Sequence, residues 1–337
     1  MGTVGVLGAG SWGTALAVHL ARIGHDVHLW ARDPALVKEM RLARENAVYL
    51  PGVILPDAIG PTDDLHDSVA GSDLVVSAIP SHGCRAVIRA AAPHIRRGAT
   101  IVSATKGLES RTLCRMSAVI AEELGPGRPV VVLSGPSFAV EVARQLPTAV
   151  LAASAHADAT ALVQSEFRGP YFRLYGSADV VGVEIGAALK NIIAIAAGVV
   201  EGLGLGHNAL AALITRGLAE VTRLACAAGG HRETLSGLSG LGDLVLTCTG
   251  HLSRNRHVGV ELARGRSLPD ILAGMKMVAE GVSTTDAALA LGEQYGIELP
   301  IATQMAEVLA GRSDVRTAVD VLMLRRQRAE PESGNSP

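Results

Sequence analysis

The sequence predicts an α/β protein in two parts: a doubly wound, mostly parallel sheet over residues 1–178, then an all-helical domain over 179–328, with a disordered tail over 329–337. Three observations carry that reading. Short β-branched runs alternate with helical segments through the first half, a glycine-rich turn follows the first run, and the strand-like runs cease after Ser177. Such alternation arises when apolar strands are sandwiched between helices on both faces of a sheet. At 337 residues the chain exceeds the usual size of one hydrophobic core, so a cleft between two domains is expected.

The first run, TVGVL, leads into Gly8-Ala9-Gly10-Ser11-Trp12-Gly13 and then a helix of small apolar residues from Ser11 to Ile23. In this strand-turn-helix context Gly8 permits the tight turn, Gly10 lets a diphosphate approach the backbone, and Gly13 lets helix and strand pack closely. Unpaired N–H groups and the dipole at the helix start favour the anion. The first half is therefore read as a Rossmann-like, dinucleotide-binding domain. A second run, DVHLW, ends on Ala31-Arg32-Asp33. An acid here suits the ribose hydroxyls of NAD and an arginine suits the extra phosphate of NADP, so Arg32 tips the choice toward NADP while Asp33 keeps NAD open. A solvated Arg-Asp pair opening the next helix explains both residues equally well. DLVVSAI, TIVSA, VVVLS and TAVLAAS supply further strands. Lys106, in SATKGL after TIVSA, falls at the sheet edge where ligands bind, although a lysine there is commonly just exposed.

From Asp179 onward the pattern is helical, punctuated by glycine-rich turns at 202–206, 229–230, 237–242 and Gly281. The stretch from Val180 to Leu205 is apolar enough to suggest a membrane span, but Glu184, Lys190 and Asn191 interrupt it, and a buried core helix is expected. Lysines number four (Lys38, Lys106, Lys190 and Lys276) out of 30 basic residues, so Lys190 within GAALKNIIAIAAG calls for a reason. Burying an unpaired ammonium costs several kcal/mol, so the residue is paired, neutral or functional, or else snorkels to the helix surface. Desolvation and nearby cations bring a lysine toward the pKa that a general base for an alcohol requires. Asp243, in LSGLGDLVLTCTG, either pairs with Lys190 or caps the helix that starts there, and spacing alone favours the cap. In Leu252-Ser253-Arg254-Asn255-Arg256, ahead of a helix expected over 257–264, a serine, an arginine and an asparagine are suited to a phosphate dianion; N-capping by Ser253 and Asn255 beside a solvated Arg254 is the alternative.

Other classes fit poorly. A formal charge of -2 with no basic run disfavours nucleic acid as a partner. Cys84, Cys114, Cys226 and Cys248 form no CxxC pair, which argues against a zinc site or disulfide framework and for a reducing, cytoplasmic setting. The N-terminus lacks the basic region of a signal peptide, and no GxxxxGK[ST] loop supports a kinase or ATPase.

Taken together, GVLGAGSWGTALA, YLPGVILP, SATKGLE, LSGPSFAVEVARQLPTAV, GAALKNIIAIAAG, LSGLGDLVLTCTGHLSRNRHVG and MVAEGVSTT resemble bacterial NAD(P)-dependent glycerol-3-phosphate dehydrogenases over nearly the whole chain, to about Arg328. The resemblance implies an oxidoreductase that interconverts glycerone phosphate and sn-glycerol 3-phosphate for glycerophospholipid synthesis, with no metal. It implies Lys190 as proton acceptor in oxidation and donor in reduction, and Asn191, Asp243 and Thr247 at the reacting end of the substrate. Ser253, Arg254 and Asn255 would hold the phosphate, while Lys106, Gly135 and Ser137 line the pocket from the first domain. For the cofactor it adds Ser11, Trp12, Arg32, Ala139, Val278 and Glu280 to the three glycines, with Lys106 and Arg254 reaching the cofactor as well. A β-hydroxyacid dehydrogenase and an idle cofactor-binding sensor are the rival readings. The oligomeric state stays open, a homodimer included.

Overall fold

The computed structural model describes residues 2–275 and 277–326, so the tail expected over 329–337 and Lys276 lie outside the described residues. Eight strands form one sheet: β1 (Thr3–Leu7), β2 (Asp26–Trp30), β3 (Ile59–Thr62), β4 (Leu74–Ser77), β5 (Thr100–Ser103), β6 (Val130–Ser134), β7 (Thr148–Ala153) and β8 (Phe172–Ser177). Their order is β3-β2-β1-β4-β5-β6-β7-β8. Neighbours are parallel from β3 through β6, β7 runs antiparallel to β6, and β8 runs parallel to β7.

Two of these strands were not expected, and both lie at the edges of the sheet. β3 reads IGPT, and an edge position is where a strand can hold the proline that lacks an N–H for the ladder. β8 reads FRLYGS and buries Phe172 while its other residues are partly or largely exposed, so it lacks the apolar run of the central strands.

Alternate residues of the central strands serve two cores. Val4, Val6, Leu74 and Val76 pack with Leu16 and Leu20 of the Ser11–Arg22 helix, whereas Leu7, Val75 and Ile101 pack with Ile88 and Val119 on the opposite face. The strand order reverses between β1 and β4, and the carboxyl ends of β1, β4, β5 and β6 open on a common edge. Ligands of open α/β sheets bind at such a switch point.

The second half is built around the Val180–Gly202 helix, with the Gly206–Ala227, Asp243–Thr249, Arg254–Ala263 and Glu280–Tyr295 helices packed on it. That helix is long and apolar enough to cross a membrane, at 23 residues and mean hydropathy 1.8, yet 89% of its most apolar window is buried inside the fold, as expected of a core helix. Its start is capped by Asp179, which accepts from Gly182 N at 2.8 Å and also from His231 N at 2.9 Å. Farther along, a Cβ on Gly259 would collide with Ile195 O, so two helix backbones lie in direct contact there.

Three local expectations differ from what is observed. The glycine-rich turn expected over 237–242 is, over Leu238–Gly242, a wide helical turn that runs straight into the next helix. Gly281 lies in the first turn of a helix, where a Cβ would come 2.7 Å from Asn191 O; close approach, rather than chain reversal, requires the glycine. The helix expected over 257–264 begins at Arg254, because Ser253 caps it by accepting from Arg256 N at 3.2 Å.

The halves are joined at the start of the long helix. Val180 and Val183 pack on Val132 and Ala153 of the sheet. Next to them Glu184 accepts from Arg115 Nη1 at 2.6 Å and from Ser117 N and Oγ at 2.8 and 2.5 Å. A residue of the helical half thus supplies the N-terminal acceptor that the Met116–Leu124 helix lacks in its own sequence.

Candidate active site

Along the sheet edge, the turn after β1 has the shape the glycines imply. Gly8 takes φ +112°, and a Cβ on Gly13 would collide with Gly8 O. Gly10 is different: its backbone is extended and a Cβ there would meet nothing within 4 Å. That gap faces the start of the Ser11–Arg22 helix, which has no side-chain cap, so the first-turn N–H groups are left for an anion. The side chains present fit a dinucleotide diphosphate. Asn46 pins the loop by donating to Ala9 O and Thr14 Oγ1, each at 2.8 Å. Trp12 Nε1 is buried there with no partner, and both Trp12 and Ala139 pack against the first core.

At the end of β2, Asp33 is committed to the backbone: it caps the Pro34–Ala43 helix by accepting from Ala35 N at 2.9 Å. Arg32 is exposed and makes no hydrogen bond or ion pair among the described residues, so the expected Arg-Asp pair does not form. From the helical half, Met277 receives a hydrogen bond from Ser11 Oγ at 2.8 Å, and Val278 beside it is 39% exposed. Glu280 reaches the sheet, accepting from Ser81 Oγ at 2.7 Å and Ser81 N at 3.3 Å.

Deeper in the cleft, Asp243 gathers the charged groups. Lys190 Nζ donates to Asp243 Oδ1 at 2.6 Å and to Thr247 Oγ1 at 2.7 Å, and Thr247 Oγ1 in turn donates to Asp243 O at 2.6 Å. Lys106 Nζ donates to Asp243 Oδ2 at 2.6 Å and to Gly135 O at 3.2 Å. Gly135 O also accepts from Ser137 Oγ at 3.0 Å. The capping role that spacing favours for Asp243 is therefore not observed: Asp243 is already inside the helix it begins, and both carboxylate oxygens bind lysines. Lys106 is half-buried rather than a loose surface residue, and Lys190 does not snorkel.

Burial dominates the electrostatics. Desolvation lowers the Lys190 pKa to about 8, with the neighbouring Lys106 adding to the effect and Asp243 opposing it. For Asp243, burial pushes the carboxyl up, but Lys106 and Lys190 together outweigh it and hold the group below its ordinary value. Burial also raises the thiol of Cys248 to about 12, so it stays neutral beside the pair.

The phosphate candidates divide. Ser253 caps its helix and is buried; Asn255, the second residue of that helix, does not cap. Instead Asn255 donates to Asn191 Oδ1 at 3.0 Å and accepts from Gly281 N at 2.9 Å, tying the residue after Lys190 to the segment that carries Glu280. Arg254 makes no hydrogen bond or ion pair to a described residue. It is open to solvent but hemmed in by the cleft, which lowers its pKa by partial desolvation, while nearby Glu280 opposes the shift.

Residues 3–160 match the family described as NAD-dependent glycerol-3-phosphate dehydrogenase N-terminus, and residues 179–320 match its C-terminus. The chain belongs to the NAD-dependent glycerol-3-phosphate dehydrogenase family. Among similar members, the glycerol-3-phosphate dehydrogenase (NAD(P)+) of Koribacter versatilis is 54% identical over 286 residues, covering 84% of this chain and 85% of that protein. The one of Geobacter metallireducens is 56% identical over 282 residues, covering 83% and 84%. The crystal structure of glycerol-3-phosphate dehydrogenase from Coxiella burnetii superposes with a TM-score of 0.93 at 42% identity, covering 96% of this chain and 99% of that one. A ketopantoate reductase from Ralstonia eutropha shares the fold at 18% identity and a TM-score of 0.58.

Several residues that shape this family member's cleft escaped the sequence reading. Ser81 follows β4 at the switch point, and its position after a strand was the one available signal. Asn46 and the Glu184-Arg115-Ser117 cluster carry no local motif; only the folded chain brings them to their partners.

Proposed function

We propose that this NAD(P)-dependent glycerol-3-phosphate dehydrogenase interconverts glycerone phosphate and sn-glycerol 3-phosphate with Lys190 moving the hydroxyl proton. The observation that carries the assignment of the base is a buried ammonium held 2.6 Å from Asp243, with its pKa lowered to about 8 by desolvation. A lysine so tuned exchanges a proton near neutral pH, as a general acid-base group must.

In oxidation the neutral Nζ of Lys190 takes the proton from the C2 hydroxyl; in reduction the ammonium returns one to the carbonyl oxygen. Thr247 and Asp243 each accept an N–H of Lys190 and so fix where Nζ points. Arg254, with Ser253 and Asn255, would bind the substrate phosphate, and Lys106, Ser137, Asn191 and the Gly135 turn would line the reacting end. Binding energy from the phosphate orients C2, so its loss should lower turnover as well as affinity. The cofactor would be held by the Gly8, Gly10 and Gly13 turn, Ser11, Trp12, Arg32, Ala139, Val278 and Glu280, with contacts from Lys106 and Arg254. When bound it supplies the hydride donor or acceptor. Arg32, unpaired while Asp33 caps a helix, supports NADP(H) over NAD(H). The mechanism calls on no metal. A cytoplasmic role in making the glycerophospholipid backbone fits four unpaired cysteines.

The test follows oxidation of NADPH, and separately NADH, by glycerone phosphate in the wild type, Lys190→Ala and Arg32→Ala. Rapid turnover lost in Lys190→Ala, with NADPH still bound, is expected; Arg32→Ala should lower the preference for NADPH. Dihydroxyacetone turned over as well as its phosphate would overturn the phosphate clamp.

A further inference from the structure

Asp243 is shared by two lysines that come from different halves of the molecule. Lys106 follows β5 in the sheet half, is also held by Gly135 O at 3.2 Å, and meets Oδ2 at 2.6 Å. Lys190 comes from the long helix of the other half and meets Oδ1 at 2.6 Å. The carboxylate therefore spans the cleft, and with both lysines protonated the cluster carries one positive charge in excess.

Consider the cluster without Lys106. A single buried carboxylate at hydrogen-bond distance favours the charged form of its lysine partner, so Lys190 paired with Asp243 alone, although still desolvated, would hold its proton more tightly than it does beside Lys106. The second ammonium changes the balance: it takes half of the carboxylate's capacity and repels the first. The proton leaves the lysine that water stabilises least. The Lys190 side chain is 7% exposed against 19% for Lys106.

Other groups around Lys190 do not substitute for Lys106. Cys248, on the same helix as Asp243, is a neutral thiol. The Arg254–Ala263 and Glu280–Tyr295 helices present Asn255 and Gly281 toward Asn191, while Arg254 and Glu280 act on each other. On the Gly206–Ala227 helix, Glu220 is occupied by Ile301 N and Ala302 N at 2.9 and 3.0 Å.

We propose that Lys106 is a positioning residue that acts on Lys190 through the shared carboxylate of Asp243, so that the base is fully poised when the sheet half and the helical half meet there. The proposal rests on Lys190 being the group that moves the proton. It ties readiness for proton transfer to the contact between the two halves at Asp243.

The chain has four lysines, so selective 13C,15N-lysine labelling gives few ε-signals, assigned by single lysine-to-arginine changes in the full-length protein. The Lys190 ε-signal is titrated in the wild type, Lys106→Met and Lys106→Arg, alongside the pH profile of kcat/KM for oxidation of sn-glycerol 3-phosphate. Lys106→Met is expected to raise the Lys190 midpoint by about one pH unit or more and to move the low-pH limb of the profile up with it. Lys106→Arg, which keeps the charge, should hold both near the wild type. Circular dichroism and the melting temperature check the fold, and Lys106→Gln replaces Lys106→Met if the latter does not fold. An unchanged Lys190 midpoint in the charge-free variant, even with a raised KM, overturns the proposal and leaves Lys106 as a substrate contact. Turnover surviving in Lys190→Ala would instead overturn the assignment of the base.

Discussion

Lys190 and Asp243, 53 residues apart in the chain, meet through a 2.6 Å hydrogen bond in a site closed to solvent. Neither ion would be tolerated there alone, because an unpaired buried charge costs several kcal/mol. Their pairing removes most of that cost but not all of it. The remainder appears as the lowered pKa of the lysine, which is what the proposed proton transfer requires.

The two reaction directions should titrate in opposite senses. With a folded pKa of about 8, against 10.5 for an ordinary lysine, Lys190 is mostly neutral above that pH and mostly charged below it. Oxidation requires the neutral amine, so kcat/KM for sn-glycerol 3-phosphate should climb as pH rises through about 8 and then level. Reduction of glycerone phosphate requires the ammonium and should decline over the same interval. Steady-state rates from pH 6 to 10 in both directions provide the check, and limbs of the same sign would exclude Lys190 as the shared group.

Gly10→Ala and Gly13→Ala should separate binding from folding. At Gly10 a Cβ meets nothing within 4 Å and the backbone is one that alanine adopts, so the melting temperature should barely change. The methyl would instead occupy the gap for the diphosphate, raising the Kd for NADPH about tenfold or more, roughly 1.4 kcal/mol. At Gly13 a Cβ collides with Gly8 O, so stability should fall first. Calorimetry and fluorescence titration on both variants distinguish the two effects.

Glu184→Leu should weaken the junction between the halves. The substitution removes the acceptor of Ser117 N and Oγ and one of the two acceptors of Arg115 Nη1, which keeps Ser117 Oγ at 3.0 Å, and it leaves Ser117 N at a buried helix start without a partner. A loss of about 3 kcal/mol in urea unfolding is expected. Glu184→Gln, which keeps one acceptor oxygen, should lose less; equal stability of all three proteins would contradict the anchoring role.

Gly259→Ala tests the closest helix contact. Its methyl would strike Ile195 O, forcing the Arg254–Ala263 helix away from the Val180–Gly202 helix. Destabilisation of about 3 kcal/mol is expected, since a packed interior has little room to yield. Because Asn255 rides on the displaced helix and bonds Asn191, the KM for glycerone phosphate should rise in whatever protein remains folded.

The central strands were legible because each is an apolar run between turn signals, and the phosphate turn because its glycines have a fixed meaning after a strand. β3 and β8 were not, since an edge strand need not be apolar on both faces. Lys190 could be singled out as a rare lysine in an apolar helix. The reading of Asp243 as a cap shows where local rules stop: spacing identifies a polar residue near a helix start, and its actual partners are 53 and 137 residues away.

By itself the sequence determined the six inner strands, the glycine-rich turn after the first of them, the buried course of the long helix and, through its long resembling segments, the family. These follow from periodicity and short-range chemistry, which neighbouring residues carry together. Only the tertiary structure decided that Lys106 and Lys190 share one carboxylate, that Glu280 reaches Ser81, that Asn255 bridges Asn191 and Gly281, and that Asp33 turns to its helix and leaves Arg32 open. Each of these depends on which distant groups burial brings within hydrogen-bond distance and which it strips of water, and no local pattern encodes that.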